Sequence, residues 1–270
     1  MNAISLHARP SADFDEKVAE SVALLRQGAA EYAPITQASS LGAEDMVVTD
    51  LLQRFGIVTG IFVLETGKLH AQTLALLDTL QAHYGRAVDV FHPDPAAVAA
   101  FVGEHGEEPM YRSLALRKAC CDLRKMEPLE RALAGHRAWI TGLRREQSGA
   151  RAEVEFVEHT ALTGADAGRT RTKINPLARW SWGDVWHYIA LHEVPYNPLH
   201  DQFFPSIGCA PCTRAVTLGE DFRSGRWWWE QESAKECGLH VSADGSHEAE
   251  EPAAFEPASA VSFIPIRPVP

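Results

Sequence analysis

Short apolar, β-branched runs alternate with helical segments through the first half of the chain, and that alternation leaves few architectures open. Ile35 to Ser39, Ile57 to Leu64, Ala87 to Phe91 and Ala138 to Thr141 read as strands. The second is apolar along almost its whole length, as in a strand buried on both faces. Between them the small-residue turn Ser39 to Asp45 opens a helix that runs through Leu52 and stops at Gly56. Another helix spans Lys68 to Tyr84 and ends at Gly85, and a third covers Asp94 to Val102. Strands alternating with helices at this spacing predict an α/β fold, a parallel twisted sheet flanked by helices on both faces. Ligands of such sheets sit beyond the carboxyl ends of the strands. Three turns fall there, at 39–45, 64–67 and 142–148, and are expected to converge although far apart in sequence.

The rest of the chain is less regular. Ser11 to Ala30 reads as an amphipathic helix ahead of the first strand. Arg144 to Arg171 is polar and rich in Gly, Arg and Thr, a loop or a hairpin. Ser181 opens a further helix, with Asp184 three residues on as its capping partner. Pro195, Pro198, Pro205 and Pro211 break the chain into turns around Cys209 and Cys212. Residues 241–270 hold five Pro and five Asp/Glu and read as a poorly ordered tail. No internal repeat is visible.

Net charge is −11, which argues against nonspecific nucleic-acid binding. Yet Arg112 to Arg151 holds ten Lys/Arg against four Asp/Glu, a local surplus of six. That fits a small-anion site, and equally a set of solvated helix faces. No apolar stretch reaches the ~18 residues of a membrane span. The first ten residues show no signal-peptide pattern. The expectation is a soluble, cytoplasmic protein.

Five cysteines, an odd number, suit metal ligands or reactive thiols better than a disulfide framework in that setting. Cys120 and Cys121 are adjacent, and Cys209-Ala210-Pro211-Cys212 is a CxxC pair. Adjacent side chains diverge, so they bind one Zn²⁺ awkwardly but can each take a different iron of a 4Fe–4S cluster. A Cys₄ zinc site stays open. So does the reading that the pairs never meet, since 88 positions separate Cys121 from Cys209. Cys237 is left over, followed by Gly238. His240, Arg223 and Arg226 would favour its thiolate. It reads as a nucleophile on a mobile segment, or as a free surface thiol.

Anion-binding candidates come from the same turns. Ser39-Ser40-Leu41-Gly42 lies between a strand and a helix, where small residues let backbone N–H groups approach an anion; plain turn chemistry explains it too. Arg144 and Arg145 follow the fourth strand, and arginine forks suit phosphate and sulfate oxygens. Arg223 and Arg226 precede the run Trp227 to Trp229, which reads as packing. Lys125, four residues after Cys121, either reaches both the cysteines and an anion or is a solvated helix lysine.

Taken together these segments carry a resemblance. Ser39-Ser40-Leu41-Gly42-Ala43-Glu44-Asp45, Leu64-Glu65-Thr66-Gly67, Cys120-Cys121-Asp122-Leu123-Arg124-Lys125, Gly142-Leu143-Arg144-Arg145-Glu146-Gln147-Ser148, Gly208-Cys209-Ala210-Pro211-Cys212 and Glu236-Cys237-Gly238-Leu239-His240 stand in the order found in the assimilatory adenylyl-sulfate reductases, the iron–sulfur branch of the sulfonucleotide reductases. The chain resembles that family from about Ala33 to His240. The resemblance implies an adenine-nucleotide α-hydrolase-like sheet and a 4Fe–4S cluster on Cys120, Cys121, Cys209 and Cys212. It implies reduction of adenosine 5′-phosphosulfate to sulfite and AMP in sulfate assimilation, with Cys237 as nucleophile and Lys125 and His240 as catalytic partners. Ser39, Ser40, Gly42, Leu64, Glu65, Thr66, Gly67, Arg144, Arg145, Arg223 and Arg226 are then substrate-binding candidates. The electron donor implied is thioredoxin or glutaredoxin, and the assembly a homo-oligomer.

The expected organisation is a helical extension over 1–32, a nucleotide- and cluster-binding α/β domain over 33–218, a segment carrying the catalytic cysteine over 219–240, and the tail. Two features depart from the family pattern: Glu65 stands where Asp is commoner, and the tail matches nothing. Other readings are reduction of the 3′-phosphorylated nucleotide, or a noncatalytic iron–sulfur sensor. An ATP-using relative of the fold would carry a fuller Ser-Gly-Gly-x-Asp-Ser loop than Ser40 to Asp45 supplies.

Overall fold

The computed structural model describes residues 2–162, 167–217 and 219–231. Six strands form one sheet in the order β3-β2-β1-β4-β6-β5: β1 Ile35–Ser39, β2 Gly60–Leu64, β3 Asp89–Phe91, β4 Ala138–Ile140, β5 Val157–Ala161 and β6 Thr170–Ile174. The first four strands and β6 pair in parallel. Only β5 runs antiparallel, against β6, so the polar stretch after β4 supplies a hairpin to an otherwise parallel sheet. Its exposed His159, Thr160 and Ala161 positions suit an edge strand.

The chain moves from β1 outward through β2 to β3, then returns to β4 on the other side of β1. Strand order therefore reverses between β1 and β4, and in open α/β sheets that reversal opens a crevice at the strands' carboxyl ends. Helices α2 (Phe14–Glu31), α3 (Ala43–Arg54), α4 (Ala71–Tyr84), α5 (Pro95–His105), α6 (Leu114–Cys121), α7 (Glu127–Leu133) and α8 (Trp182–His192) flank the sheet, and a single helical turn, α1 (Ala3–His7), precedes them. The main core joins Leu25, Met46, Leu51, Ile61, Leu80, Ile140, Ile174 and Trp186 across α2, α3, α4, α8 and the central strands. A smaller core, around Phe62, Leu129, Leu133 and Trp139, seats α7 on β2 and β4.

Two local features position the site. Helix α4 begins at Ala71, three residues later than the pattern predicts. Residues 68–70 are instead extended: Leu69 bridges Cys209, and Ala210 N–H donates to the Lys68 carbonyl at 2.7 Å. Helices α6 and α7 join through a π-helical turn, Asp122–Met126, immediately after the cysteine pair. Such turns insert a residue into the helical ladder and rotate the side chains beyond it to a new direction; here Arg124 and Lys125 are re-aimed. No helix among the described residues is long and apolar enough to cross a membrane.

Candidate active site

A cleft of about 200 Å³ opens where the strand order reverses. Its walls come from the turn after β1 (Ser39, Ser40, Gly42), the turn after β2 (Leu64, Thr66), the turn after β4 (Gly142, Leu143) and the irregular segment carrying Arg223 and Arg226. The three turns converge as expected. Gly42 caps α3 without a side-chain hydrogen bond, so the backbone N–H groups of its first turn face the cleft region unspent.

Asp45 ties two of these turns together. Its Oδ2 accepts from Ser40 N–H (2.7 Å) and Ser40 Oγ (2.6 Å), and its Oδ1 accepts from Gly142 N–H at 3.0 Å. Burial pushes this carboxyl up to about 6, against the pull of the Ser40 hydroxyl and the two backbone donors. Gly142 is glycine for a steric reason: a Cβ there would lie 2.6 Å from Asp45 Oδ1 and 2.8 Å from Glu44 Cβ.

The candidate substrate residues divide. Ser39, Ser40, Gly42, Leu64, Thr66, Arg223 and Arg226 line the cleft. Glu65 and Gly67 instead shape the second turn. Gly67 N–H donates to Glu65 Oε1 at 2.8 Å, and Gly67 has φ of 71°. Arg144 and Arg145 do not line the cleft. Arg144 is 1% exposed, donates to Glu44 Oε1 at 3.0 Å and to the Trp180 carbonyl at 3.2 Å, and lies over Trp182. Arg145 donates to the Val154 carbonyl at 2.8 Å on the hairpin side.

The cation that this loop does present to the cleft is Arg151, which no motif in the sequence singles out. Its Nη1 donates to Gln147 Oε1 at 2.6 Å, and Gln147 Nε2 donates to Glu44 Oε1 at 2.9 Å. It lies seven positions after Arg144, and only the 3₁₀ turns at 145–147 and 149–151 turn it inward.

The four paired cysteines meet. Cys120, Cys121, Cys209 and Cys212 are each buried and pack with Met110 and Trp227 in a third small core. They line one cavity together with Lys68, Arg117, Arg124, Lys125 and Arg226. Among the described residues no trio of Cys, His, Asp or Glu is arranged to hold one metal ion; the sulfurs ring a space. Burial holds the Cys120 thiol above its usual range, with Arg124 opposing, and pushes Cys212 up to about 11. A donor set of four thiols around a cavity, within a collar of guanidinium and ammonium groups, fits a multi-atom, negatively charged inorganic group.

Thr66 joins this cavity to the second turn. Its Oγ1 lies 3.2 Å from Cys209 Sγ, and its carbonyl accepts from Arg124 Nη1 at 2.7 Å. Lys125, Arg226 and Trp227 line both the cleft and the cysteine cavity. Cys237, His240 and the expected tail lie outside the described residues.

A mostly parallel sheet with a helix-capped cleft at its reversal point places the molecule in the adenine-nucleotide α-hydrolase-like class. Solved structures agree on the fold. The phosphoadenylyl-sulfate reductase of Candida auris superposes with a TM-score of 0.60 over 77% of this chain and 98% of that one, at 24% identity. The FMN adenylyltransferase of Candida glabrata superposes with a TM-score of 0.54 over 87% and 82% of the two chains, at 12% identity. Within that class the chain belongs to the phosphoadenosine phosphosulfate reductase domain family, which matches residues 34–215. Curated relatives named adenosine 5′-phosphosulfate reductase are 51% identical in Allochromatium vinosum (82% of this chain, 84% of that one) and 50% identical in Burkholderia cepacia (84% and 88%).

Proposed function

We propose that the chain reduces adenosine 5′-phosphosulfate to sulfite and AMP in sulfate assimilation, with Cys237 as nucleophile and a 4Fe–4S cluster held by Cys120, Cys121, Cys209 and Cys212. One observation carries the reading: the nucleotide-type cleft and the four-cysteine cavity share a wall made of Lys125, Arg226 and Trp227. A redox-inert nucleotide binder has no use for that adjacency. The names of relatives at half identity support the same substrate.

In this mechanism the α3 N-terminus and the Ser39–Gly42 turn take the phosphate, and the apolar floor of Phe62, Leu64 and Trp139 takes the adenine. Arg151, Arg223, Arg226 and Lys125 neutralise the phosphosulfate and the charge that gathers on the departing phosphate. The Cys237 thiolate attacks the sulfate sulfur, forming an S–S bond as the S–O bond to AMP breaks. Both electrons of that broken bond leave on the AMP phosphate. A dithiol donor of the thioredoxin or glutaredoxin type then attacks the Cys237 sulfur, and sulfite departs with the bonding pair. The donor's second thiol resolves the mixed disulfide, so the donor is oxidised by two electrons and Cys237 is regenerated. The cluster, when bound, supplies fixed charge and shape to the Lys125–Arg226 wall. This chemistry suits a cytoplasmic setting.

The test is anaerobic incubation with ³⁵S-labelled adenosine 5′-phosphosulfate without donor. Wild-type protein is expected to carry label and release AMP stoichiometrically, whereas Cys237→Ser keeps its iron and carries none. A labelled Cys237→Ser protein sinks the nucleophile assignment. Equal turnover of the 3′-phosphorylated nucleotide sinks the substrate assignment.

A further inference from the structure

The last described stretch of chain before Cys237 is held by a buried ion pair. Arg117 Nε donates to Glu230 Oε1 at 3.0 Å and Nη2 to Oε2 at 2.8 Å, a bidentate fork. The Arg117 side chain is 1% exposed and that of Glu230 7%. Neither residue lines the substrate cleft. Arg117 stands one helical turn before the cysteine pair on α6, hydrogen-bonds the Cys121 sulfur, and lies 4.7 Å from the Trp227 ring centroid. Arg226, from the shared wall, lies 4.5 Å from the same centroid.

The intervening backbone is folded tightly. Trp227 has φ of 41°, a region costly for a bulky residue, and Glu230 N–H donates to the Trp227 carbonyl at 2.8 Å. Trp227 N–H also donates to the Cys212 carbonyl at 3.3 Å, which pins the turn to the CxxC pair.

Desolvating two charges is unfavourable unless geometry is exacting, and an apolar pair would hold a simple packing contact as well. What a bidentate fork adds is a fixed position and direction. Glu230 lies four residues beyond cleft-lining Arg226 and seven before Cys237. Seven residues reach at most about 25 Å, at ~3.3–3.6 Å each. The fixed point therefore bounds how far Cys237 can lie from Glu230, and a bound on that distance raises the effective concentration of the thiol at the cleft.

We infer that Arg117 and Glu230 are positioning residues: their ion pair clamps the origin of the Cys237 segment against the cysteine core, so that the thiol is delivered to the sulfate end of the cleft. This rests on the reading of Cys237 as nucleophile.

The experiment compares full-length, iron-loaded wild type with Glu230→Gln and Glu230→Asp. Three quantities are read: the single-turnover rate of ³⁵S transfer from adenosine 5′-phosphosulfate to Cys237, the Kd for AMP, and the rate of tryptic cleavage after Lys235. With the clamp, Glu230→Gln lowers the transfer rate at least tenfold and speeds cleavage several-fold, while the AMP Kd stays within twofold. Glu230→Asp, which keeps the charge, falls between. Wild-type rates of transfer and cleavage in Glu230→Gln overturn the inference, as does a transfer loss matched by an equal loss of AMP affinity. Should Glu230→Gln lose its iron, Glu230→Asp decides by the same criteria. A wild type that carries no label on Cys237 refutes the nucleophile instead, and the cleavage rates still decide the clamp.

Discussion

Gly142 shows how a single hydrogen atom in place of a methyl group holds the cleft's geometry. Its N–H reaches Asp45 Oδ1 only because nothing occupies the Cβ position, where Glu44 Cβ and Asp45 N would lie 2.8 and 3.0 Å away. Both of those atoms are fixed to the first turn of α3 and cannot rotate aside. Gly142→Ala is expected to separate the turns after β1 and β4 and to cost about 1–3 kcal/mol by overpacking. AMP affinity should fall at least tenfold by calorimetry, with a lowered melting temperature. Unchanged affinity would remove the Asp45 bridge from the binding site.

The same scale shows where sequence runs out. Ser39, Ser40 and Gly42 are legible as cleft residues because turn position and residue type together select them, whereas Arg223 and Arg226 come in through the resemblance. Arg144 reads as a substrate ligand from its guanidinium, its place after the fourth strand and the resemblance. Its actual partner, Glu44, lies 100 positions away, and no local pattern reports that contact. Arg151 is hidden for the converse reason, since its direction is set by two 3₁₀ turns that carry no strong signature.

Among the elements, the starts of β1 at Ile35 and β4 at Ala138 are legible from their apolar runs, but those of β2 and β3 are not. Ile57 reads as strand from its residue type. It instead closes the end of α3: Gly56 takes φ of 63°, Ile57 N–H donates to the Leu52 carbonyl at 2.9 Å, and its side chain plugs the core, while Val58 is exposed and β2 begins at Gly60. The sequence reading assigns no helix to α6 or α7, although Leu129, Ala132 and Leu133 recur at helical spacing and bury against β2 and β4.

The capping pair Ser181/Asp184 is legible, and it does more than cap. Asp184 also accepts from Ser11 N–H at 2.7 Å and pairs with Lys17 at 3.0 Å, so it ties α2 and the segment before it to α8. Burial alone would raise this carboxyl, but the Ser11 and Ser181 N–H groups and Lys17 outweigh it and hold it at about 2. A folded pKa below the unfolded 3.8 means stability that is present above that value and lost as pH falls through 2. Asp184→Asn is expected to lose about 2 kcal/mol at pH 7. The gap to wild type should narrow as pH falls from 4 toward 2 in equilibrium unfolding. A gap that does not change with pH would mean that the carboxylate's charge is not what joins these helices.

At the scale of the whole molecule, the large core on the sheet and the small one around the cysteines differ in what sustains them. The sheet core is aliphatic and aromatic, and its residues need no added group. The cysteine core contains four thiols, Met110 and Trp227 among buried cations, including Arg117 and Arg226. Glu230 neutralises Arg117, but Arg124, Lys125 and Arg226 gather further positive charge around the same cavity, which a negative centre placed among them would offset. Metal removal should therefore act locally. After iron chelation under anaerobic conditions, hydrogen exchange is expected to rise many-fold over 109–126 and 205–231, the segments that meet at the cavity. Protection of β1, β2, β4 and α3 should change by less than twofold, and the far-ultraviolet circular dichroism should keep its α/β form. AMP affinity should weaken, because Lys125 and Arg226 belong to the wall that loosens, yet it should not vanish, because the α3 N-terminus remains. Uniform loss of protection would show that the two cores fold as one unit. Unchanged exchange around the cysteines would show that their core is complete without a metal group, and would leave the shared wall of cleft and cavity without a cofactor to explain it.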